Sequence, residues 1–284
     1  MIQSSTSQRW GTGNVFLFIL LPLIAGVLIS LLIPRPAVGV IYLNDAIQNN
    51  TAQEMVQEII YARQDPQIKA VVLVLNSPGG TVSDTESVYM ELNRLRETKP
   101  VVTDVDDMAA SGAYYIAVGS DYIFAKPSSE IGNIGVIGEL PPQPSVLGEI
   151  YSTGPYKLWS SPRDQFVREM ETLKEGFLKA VELGRGSALK LPEETILRGQ
   201  IYTGTEALHD GLIDALGTQS QAFDKAASMA HITHYQLVDL SGKVDASSAG
   251  QPAFFMQNQD GINTAYPQDP GLYMLYIPQA EARP

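Results

Sequence analysis

The chain has 284 residues, which is enough for one large domain with a sizeable core and accessory segments. Its 31 acidic residues outnumber 19 basic ones, and this argues against nucleic acid as a partner because a phosphate-binding surface needs clustered positive charge. The lack of cysteine excludes disulfides, thiolate metal sites and a cysteine nucleophile.

The amino-terminal region predicts a membrane anchor. Residues 1–14 are polar, and residues 15–33 form an apolar run without a charge. As a helix, this run has about the length of the ~30 Å hydrocarbon core of a bilayer. A cleaved signal peptide is the alternative, but its apolar region is usually only about 7–15 residues long, and no small-x-small cleavage pattern precedes Pro34. We therefore expect a transmembrane anchor over residues 15–33, whose orientation the flanking charges leave open.

Strand-like and helix-like segments alternate along residues 37–240 without hairpin signals. Thr51 and Ser83 each start a capping-box pattern at the beginning of a helix. This alternation predicts an α/β fold with a parallel sheet and right-handed crossovers. The predicted strands cover residues 39–44, 70–75, 101–105 and 122–126, and the longer predicted helices cover residues 51–63, 83–96 and 165–182.

The turn after the second strand is a candidate functional element. Residues 70–75 are apolar throughout, which is typical of a central parallel strand, and Asn76-Ser77-Pro78-Gly79-Gly80 follows at its carboxyl end. Neither glycine has a Cβ, so a ligand can approach the backbone N–H groups closely, as an oxyanion site requires. An ordinary strand-to-helix turn explains the same residues unless a nucleophile lies nearby.

Ser111 is the candidate nucleophile. It lies in a stretch of small residues, Ala109-Ala110-Ser111-Gly112, followed by an apolar helix-like segment. A hydroxyl at that position lies near the positive end of the helix dipole, and the N–H of Gly112 is free to donate. A plain helix cap is the alternative function for this serine.

The candidate base is a lysine rather than a histidine. His209, His231 and His234 lie in the last third of the chain, where we expect surface positions, and His231-x-x-His234 is a weak metal pattern without a nearby carboxylate. Lys157 lies beside Leu158 and Trp159. Apolar neighbours either cover its stem or lower its pKa towards the range of a general base.

These motifs together resemble the signal peptide peptidase A family of membrane-anchored Ser–Lys peptidases. The resemblance runs from about residue 39 to residue 230 and includes Ser-Pro-Gly-Gly, Ala-Ala-Ser-Gly, Gly-x-Ile-Gly-Val, a later Gly-x-x-Lys, and the pattern over residues 200–214. It implies the Clp protease/crotonase-like ββα superhelix, with an N-terminal transmembrane helix, and a serine endopeptidase that uses no cofactor and no metal. It also implies hydrophobic peptide substrates such as released signal peptides, ring-like or dome-like homo-oligomers, and a single-pass location in the cell membrane with an extracytoplasmic catalytic domain.

The resemblance also assigns roles to individual residues. Ser111 matches the nucleophile and Lys157 matches the general base. The N–H groups of Gly80 and Gly112 match the oxyanion hole, and Gly79 shapes the turn.

One position departs from the family. Asn133 stands where the family usually has a serine whose hydroxyl helps to hold the base. An amide oxygen can also accept a hydrogen bond from the lysine.

Two other function classes stay open at this point. A non-catalytic membrane scaffold of the same fold is favoured only by Asn133. A crotonase-type acyl-CoA enzyme shares the fold and the glycines, but it needs an acidic catalytic residue and no membrane anchor.

The end of the chain predicts a docked strand. Residues 241–284 form a tail that begins with a polar stretch, for which we expect loose packing, and it then carries an apolar, extended segment over residues 272–277. An exposed apolar strand is an aggregation liability, so we expect it to bind to the rest of the protein. The two candidate positions are a peptide groove at or beside Ser111 and a distant sheet edge.

Overall fold

The computed structural model describes residues 16–32, 35–139, 153, 163–244 and 271–276. A five-residue π-helical segment, Phe16–Leu20, precedes the first α-helix. The α-helices are α1 (Leu21–Leu32), α2 (Asn49–Gln64), α3 (Val82–Arg96), α4 (Gly112–Ala117), α5 (Arg163–Arg185), α6 (Glu193–Ile196), α7 (Gly204–Asp210) and α8 (Gln219–Met229). The strands are β1 (Ala37–Leu43), β2 (Ile68–Ser77), β3 (Gly79–Thr81), β4 (Val101–Ala110), β5 (Tyr122–Ala125), β6 (Glu130–Gly132), β7 (Ile137–Glu139), β8 (Ile201–Thr203), β9 (Ala215–Leu216), β10 (Gln236–Asp239) and β11 (Gly271–Leu275).

The main sheet has the strand order β10-β1-β2-β4-β5-β9, and neighbouring strands along this path are parallel. β6 continues beside the carboxyl end of β4, and β8 pairs with β6 in the antiparallel sense. The predicted α/β class and the parallel central sheet are therefore confirmed.

Apolar side chains cover both faces of the central strands. β2 alternates between two buried clusters: Val71, Leu73 and Leu75 belong to the larger one, and Val72 and Val74 belong to the smaller one. α2, α3, α4 and α5 contribute to the larger cluster, whereas α8 covers the smaller one. Burial on both faces explains why β2 is a continuous apolar run rather than an alternating pattern.

A second, three-stranded sheet lies at the carboxyl ends of β2 and β4. Its order is β3-β11-β7, and both pairings are antiparallel. β3 begins directly after Pro78, so the turn predicted as a functional element leads straight into this sheet.

The starts of two helices differ from the prediction. α2 begins at Asn49 with Gln48 as its N-cap, and the Thr51 side chain accepts from the Gln48 N–H, so Thr51 lies inside the helix. α3 is capped by Thr81 rather than Ser83, because the Thr81 hydroxyl accepts from the Asp84 N–H.

No helix in the described ranges combines the length and the apolar character needed to cross a membrane.

Candidate active site

β3 is held along one edge by Ile47. The Ile47 N–H donates to the carbonyl of Gly79 at 2.8 Å, and the Thr81 N–H donates to the carbonyl of Ile47 at 3.0 Å. Because successive residues of a strand direct their backbone groups to opposite edges, the N–H of Gly80 faces away from Ile47. One predicted oxyanion donor is thereby directed towards the opposite edge of β3.

Close contacts with backbone atoms leave room only for glycine at positions 79 and 80. Gly79 has a φ of 95°, in the left-handed region that favours glycine. A Cβ at Gly79 would lie 2.1 Å from the carbonyl oxygen of Met274 and 2.6 Å from the nitrogen of Gly112. A Cβ at Gly80 would lie 1.8 Å from the carbonyl oxygen of Ile47. An ordinary turn does not need two adjacent glycines packed against backbone on opposite sides, so this packing favours a backbone-lined binding site.

Ser111 connects β4 to α4 in a strained conformation. Its φ is 52° and its ψ is −119°, values that a residue with a side chain rarely adopts and that cost about 1–3 kcal/mol. The Ser111 N–H donates to the carbonyl of Gly132 at 2.7 Å, and its carbonyl accepts from Tyr115 at 2.9 Å. The buried side chain makes no capping hydrogen bond to α4. The helix-cap interpretation is therefore not what the structure shows, and the strain favours a functional role.

The structure brings the predicted oxyanion glycines together beside Ser111. A Cβ at Gly112 would lie 3.3 Å from the nitrogen of Gly80 and 2.6 Å from Oγ1 of Thr85. Thr85 is buried, and its hydroxyl donates to the carbonyl of Thr81 at 2.7 Å. No sequence signal pointed to Thr85, because its position between β3 and α4 follows from the packing of α3.

Asn133, the position that departs from the family, is held by two hydrogen bonds to backbone carbonyls. Asn133 has a φ of 52°, its backbone N–H donates to the carbonyl of Gln200 at 2.7 Å, and its Nδ2 donates to the carbonyl of Gly199 at 2.8 Å. The Gly199 bond takes one of the two Nδ2 donors and fixes the side-chain amide, whose Oδ1 is the acceptor that the prediction assigned to the lysine. Lys157 lies outside the described residues, so its contact with Ser111 stays a prediction.

A buried ion pair lies next to α4. The Arg185 guanidinium binds both carboxylate oxygens of Asp214, at 2.9 and 2.8 Å, and the same carboxylate accepts from the N–H of Ile123 at 2.8 Å. Next to it, the hydroxyl of Tyr114 donates to the carbonyl of Leu212 at 2.7 Å, and burial raises the pKa of that tyrosine. Asp214 belongs to the carboxyl-side pattern of the resemblance, whereas the sequence analysis did not single out Arg185.

Two buried carboxylates have strongly shifted pKa values. Asp104 lies in β4, and neither of its carboxylate oxygens has a hydrogen-bond partner among the described residues. Burial raises its pKa to about 6, Asp106 adds to the shift, and Lys126 opposes it. Burial also raises the pKa of Glu58, in α2, to about 8, and Glu54 and Asp239 add to the shift.

The histidines lie apart from these groups. All three are exposed, and His209 contacts Asp210 while His234 contacts Thr233. The prediction of surface positions is therefore confirmed. Within the described part of the chain, no group of three or more histidine, aspartate and glutamate side chains could hold a metal ion.

β11, from the end of the chain, occupies the groove between β3 and β7. Met274 lies opposite Gly80, and Leu272 lies opposite Gly138. Of the two positions open to the tail, the one beside Ser111 is the one that the structure shows. The polar residues 245–270 that precede β11 lie outside the described residues.

The chain is similar to known peptidases along most of its folded domain. The family model for Peptidase family S49 matches residues 93–233, and the model for Clp protease matches residues 37–132. The chain is 31% identical over 210 residues to a putative protease of Synechocystis, covering 69% of this chain and 75% of that protein. The chain belongs to peptidase family S49. The α/β domain is accordingly of the Clp protease type, and the predicted family, that of signal peptide peptidase A, is confirmed together with the serine peptidase class of its members.

Other relatives in this family differ in length from the chain. Protease 4 of Salmonella typhi is 34% identical over 225 residues, which cover 70% of this chain and 36% of that protein. The putative signal peptide peptidase of Enterococcus faecium is 28% identical over 202 residues, covering 66% of this chain and 58% of that protein. The chain thus spans about a third of one relative and more than half of the other.

Proposed function

We propose that this chain is a membrane-anchored serine endopeptidase that cleaves hydrophobic peptides, such as released signal peptides, with Ser111 as nucleophile and Lys157 as general base. One observation carries the proposal: Ser111 is held in a strained conformation directly beside two glycine N–H groups, at positions where close contacts leave no room for a side chain. Strain of this kind persists where the surrounding structure over-determines it, as at active sites.

The chemistry follows from the groups assigned. The neutral amine of Lys157 removes the proton from the Ser111 hydroxyl while Oγ attacks the peptide carbonyl carbon. The N–H groups of Gly80 and Gly112 stabilise the negative charge that develops on the carbonyl oxygen. When the C–N bond breaks, the lysine ammonium returns the proton to the leaving amine. Water then hydrolyses the acyl-enzyme with Lys157 again as the base, which releases Ser111.

The shape of the groove supports an extended peptide as the substrate. β3 and β7 run in the same direction and lie on either side of β11, with one strand edge of each facing the groove. An extended substrate can therefore add between them through backbone hydrogen bonds. Such binding uses the main chain for affinity and leaves specificity to the side chains.

The proposal also includes the cell membrane and a homo-oligomer. The segment Phe16–Leu32 exposes large apolar side chains, among them Phe18, Leu23 and Leu28, on a stretch without charges. This supports a single-pass anchor, with the catalytic domain on the extracytoplasmic side as the resemblance implies. Sedimentation of the full chain with membranes tests the anchor, and a variant with Leu23→Asp and Leu28→Asp that still sediments would argue against it. Analytical ultracentrifugation in detergent tests the ring-like or dome-like assembly.

The decisive experiment is covalent labelling of the nucleophile. A fluorophosphonate probe should label the full chain at Ser111, with loss of labelling in Ser111→Ala. Ser83→Ala is the matched control, because Ser83 is an exposed serine at the start of α3. Labelling of the control must equal that of the wild type.

The alternatives predict other results. A non-catalytic scaffold of this fold gives no labelling at Ser111 in a chain that is folded. A crotonase-type enzyme binds acyl-CoA, which an equilibrium binding measurement with acetyl-CoA detects.

A further inference from the structure

The strand at the end of the chain is placed as a peptide substrate would be. β11 runs antiparallel to both β3 and β7, with Met274 opposite Gly80 and Tyr273 opposite both Thr81 and Ile137. A strand that pairs on both edges fills the groove completely at these residues, so a second peptide cannot pair with β3 at the same time.

The register identifies the carbonyl that lies at the oxyanion donors. In an antiparallel ladder, hydrogen-bonded and non-hydrogen-bonded residue pairs alternate. The Tyr276 N–H donates to the carbonyl of Pro78 at 2.8 Å, so the next hydrogen-bonded pair is Met274 with Gly80. In that pair the Gly80 N–H donates to the carbonyl of Met274.

The second oxyanion glycine lies next to the same carbonyl. The Met274 oxygen is 3.0 Å from the place where a Cβ on Gly112 would lie and 2.1 Å from the corresponding place on Gly79. The nitrogen of Gly112 is itself only 2.6 Å from the place where a Cβ on Gly79 would lie. The Met274 carbonyl therefore lies close to both predicted donors, Gly80 and Gly112.

The side chains of β11 are buried as well as its backbone being paired. Tyr273, Met274 and Leu275 are 5%, 1% and 4% exposed, and Met274 joins the larger core cluster, against which Leu272 also packs. Three consecutive apolar side chains that point alternately to both faces of the strand are therefore all removed from water. This burial favours the docked state over a tail in solvent.

We propose that residues 271–276 are a built-in competitor for the substrate groove, bound in the register of a substrate with Met274 at the position whose carbonyl is attacked. This inference rests on the proposed peptidase function. It implies that the groove takes extended peptides with large apolar side chains at the positions of Tyr273, Met274 and Leu275. Because the tail belongs to the same chain, it competes at a high effective concentration, and external peptide binds only when the tail leaves.

The test uses the full chain with one substitution in the tail. Met274→Asp places a charge in a site that is 1% exposed, which expels the strand, and Met90→Asp makes the same change at a residue that is 66% exposed. For a hydrophobic peptide substrate, we expect the KM of Met274→Asp to fall at least about fivefold with kcat within about twofold, because a competing occupant raises KM alone. An unchanged KM in an active Met274→Asp enzyme, or an equal fall in Met90→Asp, overturns the proposal.

A second measurement does not depend on catalysis. In the Ser111→Ala background, hydrogen exchange of the Gly80 backbone amide should be slow with the native tail and faster with Met274→Asp. The Thr81 amide, which donates to the carbonyl of Ile47, is the internal control and should exchange alike in both. The synthetic peptide Gly-Leu-Tyr-Met-Leu-Tyr, which copies residues 271–276, should restore the slow exchange to that double variant.

The two measurements separate the proposals from each other. Slow exchange that Met274→Asp abolishes, in a protein without peptidase activity, leaves the docked tail standing and refutes the proposed function. Exchange at the Gly80 amide that is the same with and without Met274→Asp refutes the docked tail, whatever the activity.

Discussion

The two edges of β3 differ in what binds them. Along one edge, Ile47 makes two backbone hydrogen bonds to Gly79 and Thr81, and it comes from the loop directly after β1, within the main fold. Along the other edge, Gly80 meets Met274, from the far end of the chain. The first contact sets the position of the strand, and the second can be exchanged for another peptide. A catalytic strand of this kind needs one permanent neighbour and one replaceable neighbour, and we call these the fixed side and the groove side of β3.

The largest expected effect tests whether Lys157 supplies the base for the reaction proposed on the groove side. Lys157→Met removes the only amine assigned to take the Ser111 proton, so we expect kcat/KM to fall by about 10²–10⁴-fold with the fold intact. Steady-state kinetics with a hydrophobic peptide measures this loss, and circular dichroism checks the fold.

The control for this change is Lys179→Met, at a lysine in α5 whose side chain is 73% exposed. It should keep wild-type kinetics. If Lys157→Met retains more than about a tenth of the activity, a loss below about 1.4 kcal/mol of transition-state stabilisation, then the lysine is not the base.

An intermediate effect is expected away from both edges of β3, in β4, the strand that ends at the residue before Ser111. Asp104 is buried without a partner, and burial raises its pKa to about 6. The unfolded chain releases this proton near pH 4, so between about pH 4 and pH 6 the folded state binds more protons than the unfolded state. The free energy of unfolding therefore falls as the pH rises through this range and stays lower above it.

Asp104→Asn removes this pH dependence. The variant should match the wild type near pH 4 and exceed it by about 1–2 kcal/mol at pH 8, after allowance for solvent screening. Urea unfolding at the two pH values measures the difference. Asp107→Asn, at an exposed aspartate of the same strand, is the control and should change neither value. A wild-type chain whose stability does not fall between pH 4 and pH 8 relative to Asp104→Asn would contradict the assignment.

The elements around the fixed side of β3 could be predicted to different degrees. The strand β2 and the helix after it follow from an apolar run, a Pro-Gly-Gly turn and helical periodicity, all of which are local signals. The helix starts were wrong by one or two residues at Thr51 and Ser83, because β3 and the segment around Ile47 bind each other and extend the backbone up to the caps. A partner distant in sequence thus decides where the helix begins.

The conformation of Ser111 had no sequence signal. A serine prefers negative φ, and the value of 52° is imposed by its bond to Gly132 and by the start of α4. The family motif pointed to the residue but not to its strain. The buried pair of Arg185 and Asp214 was missed for a similar reason, since the two residues come from separate elements that only the tertiary fold brings together.

The groove side was predicted from one physical argument. An apolar strand at the end of a polar tail has to be buried somewhere, and a groove for extended peptides offers both backbone partners and apolar contacts. That argument left the groove and a distant sheet edge open, and the structure shows the first. The register with Met274 opposite Gly80 depends on the side chains that surround the groove and could be read only from the structure.

The smallest expected effect is at Asn133, which follows Gly132, the residue whose carbonyl accepts from the Ser111 N–H. Its Nδ2 donates to the carbonyl of Gly199, so an Asn133→Ser variant loses that bond, and serine also tolerates the φ of 52° less well than asparagine. We expect a loss of stability of about 1 kcal/mol and retained activity.

The informative change is in the pH dependence of kcat/KM. The asparagine oxygen can only accept from a lysine ammonium and so favours the charged base, whereas a serine hydroxyl can also donate to the neutral amine and favours the active form. The rise of kcat/KM with pH should therefore move to lower pH in Asn133→Ser, and Asn44→Ser, at an exposed asparagine after β1, should leave it in place. A profile that is identical in the wild type and in Asn133→Ser would mean that residue 133 does not contact the base.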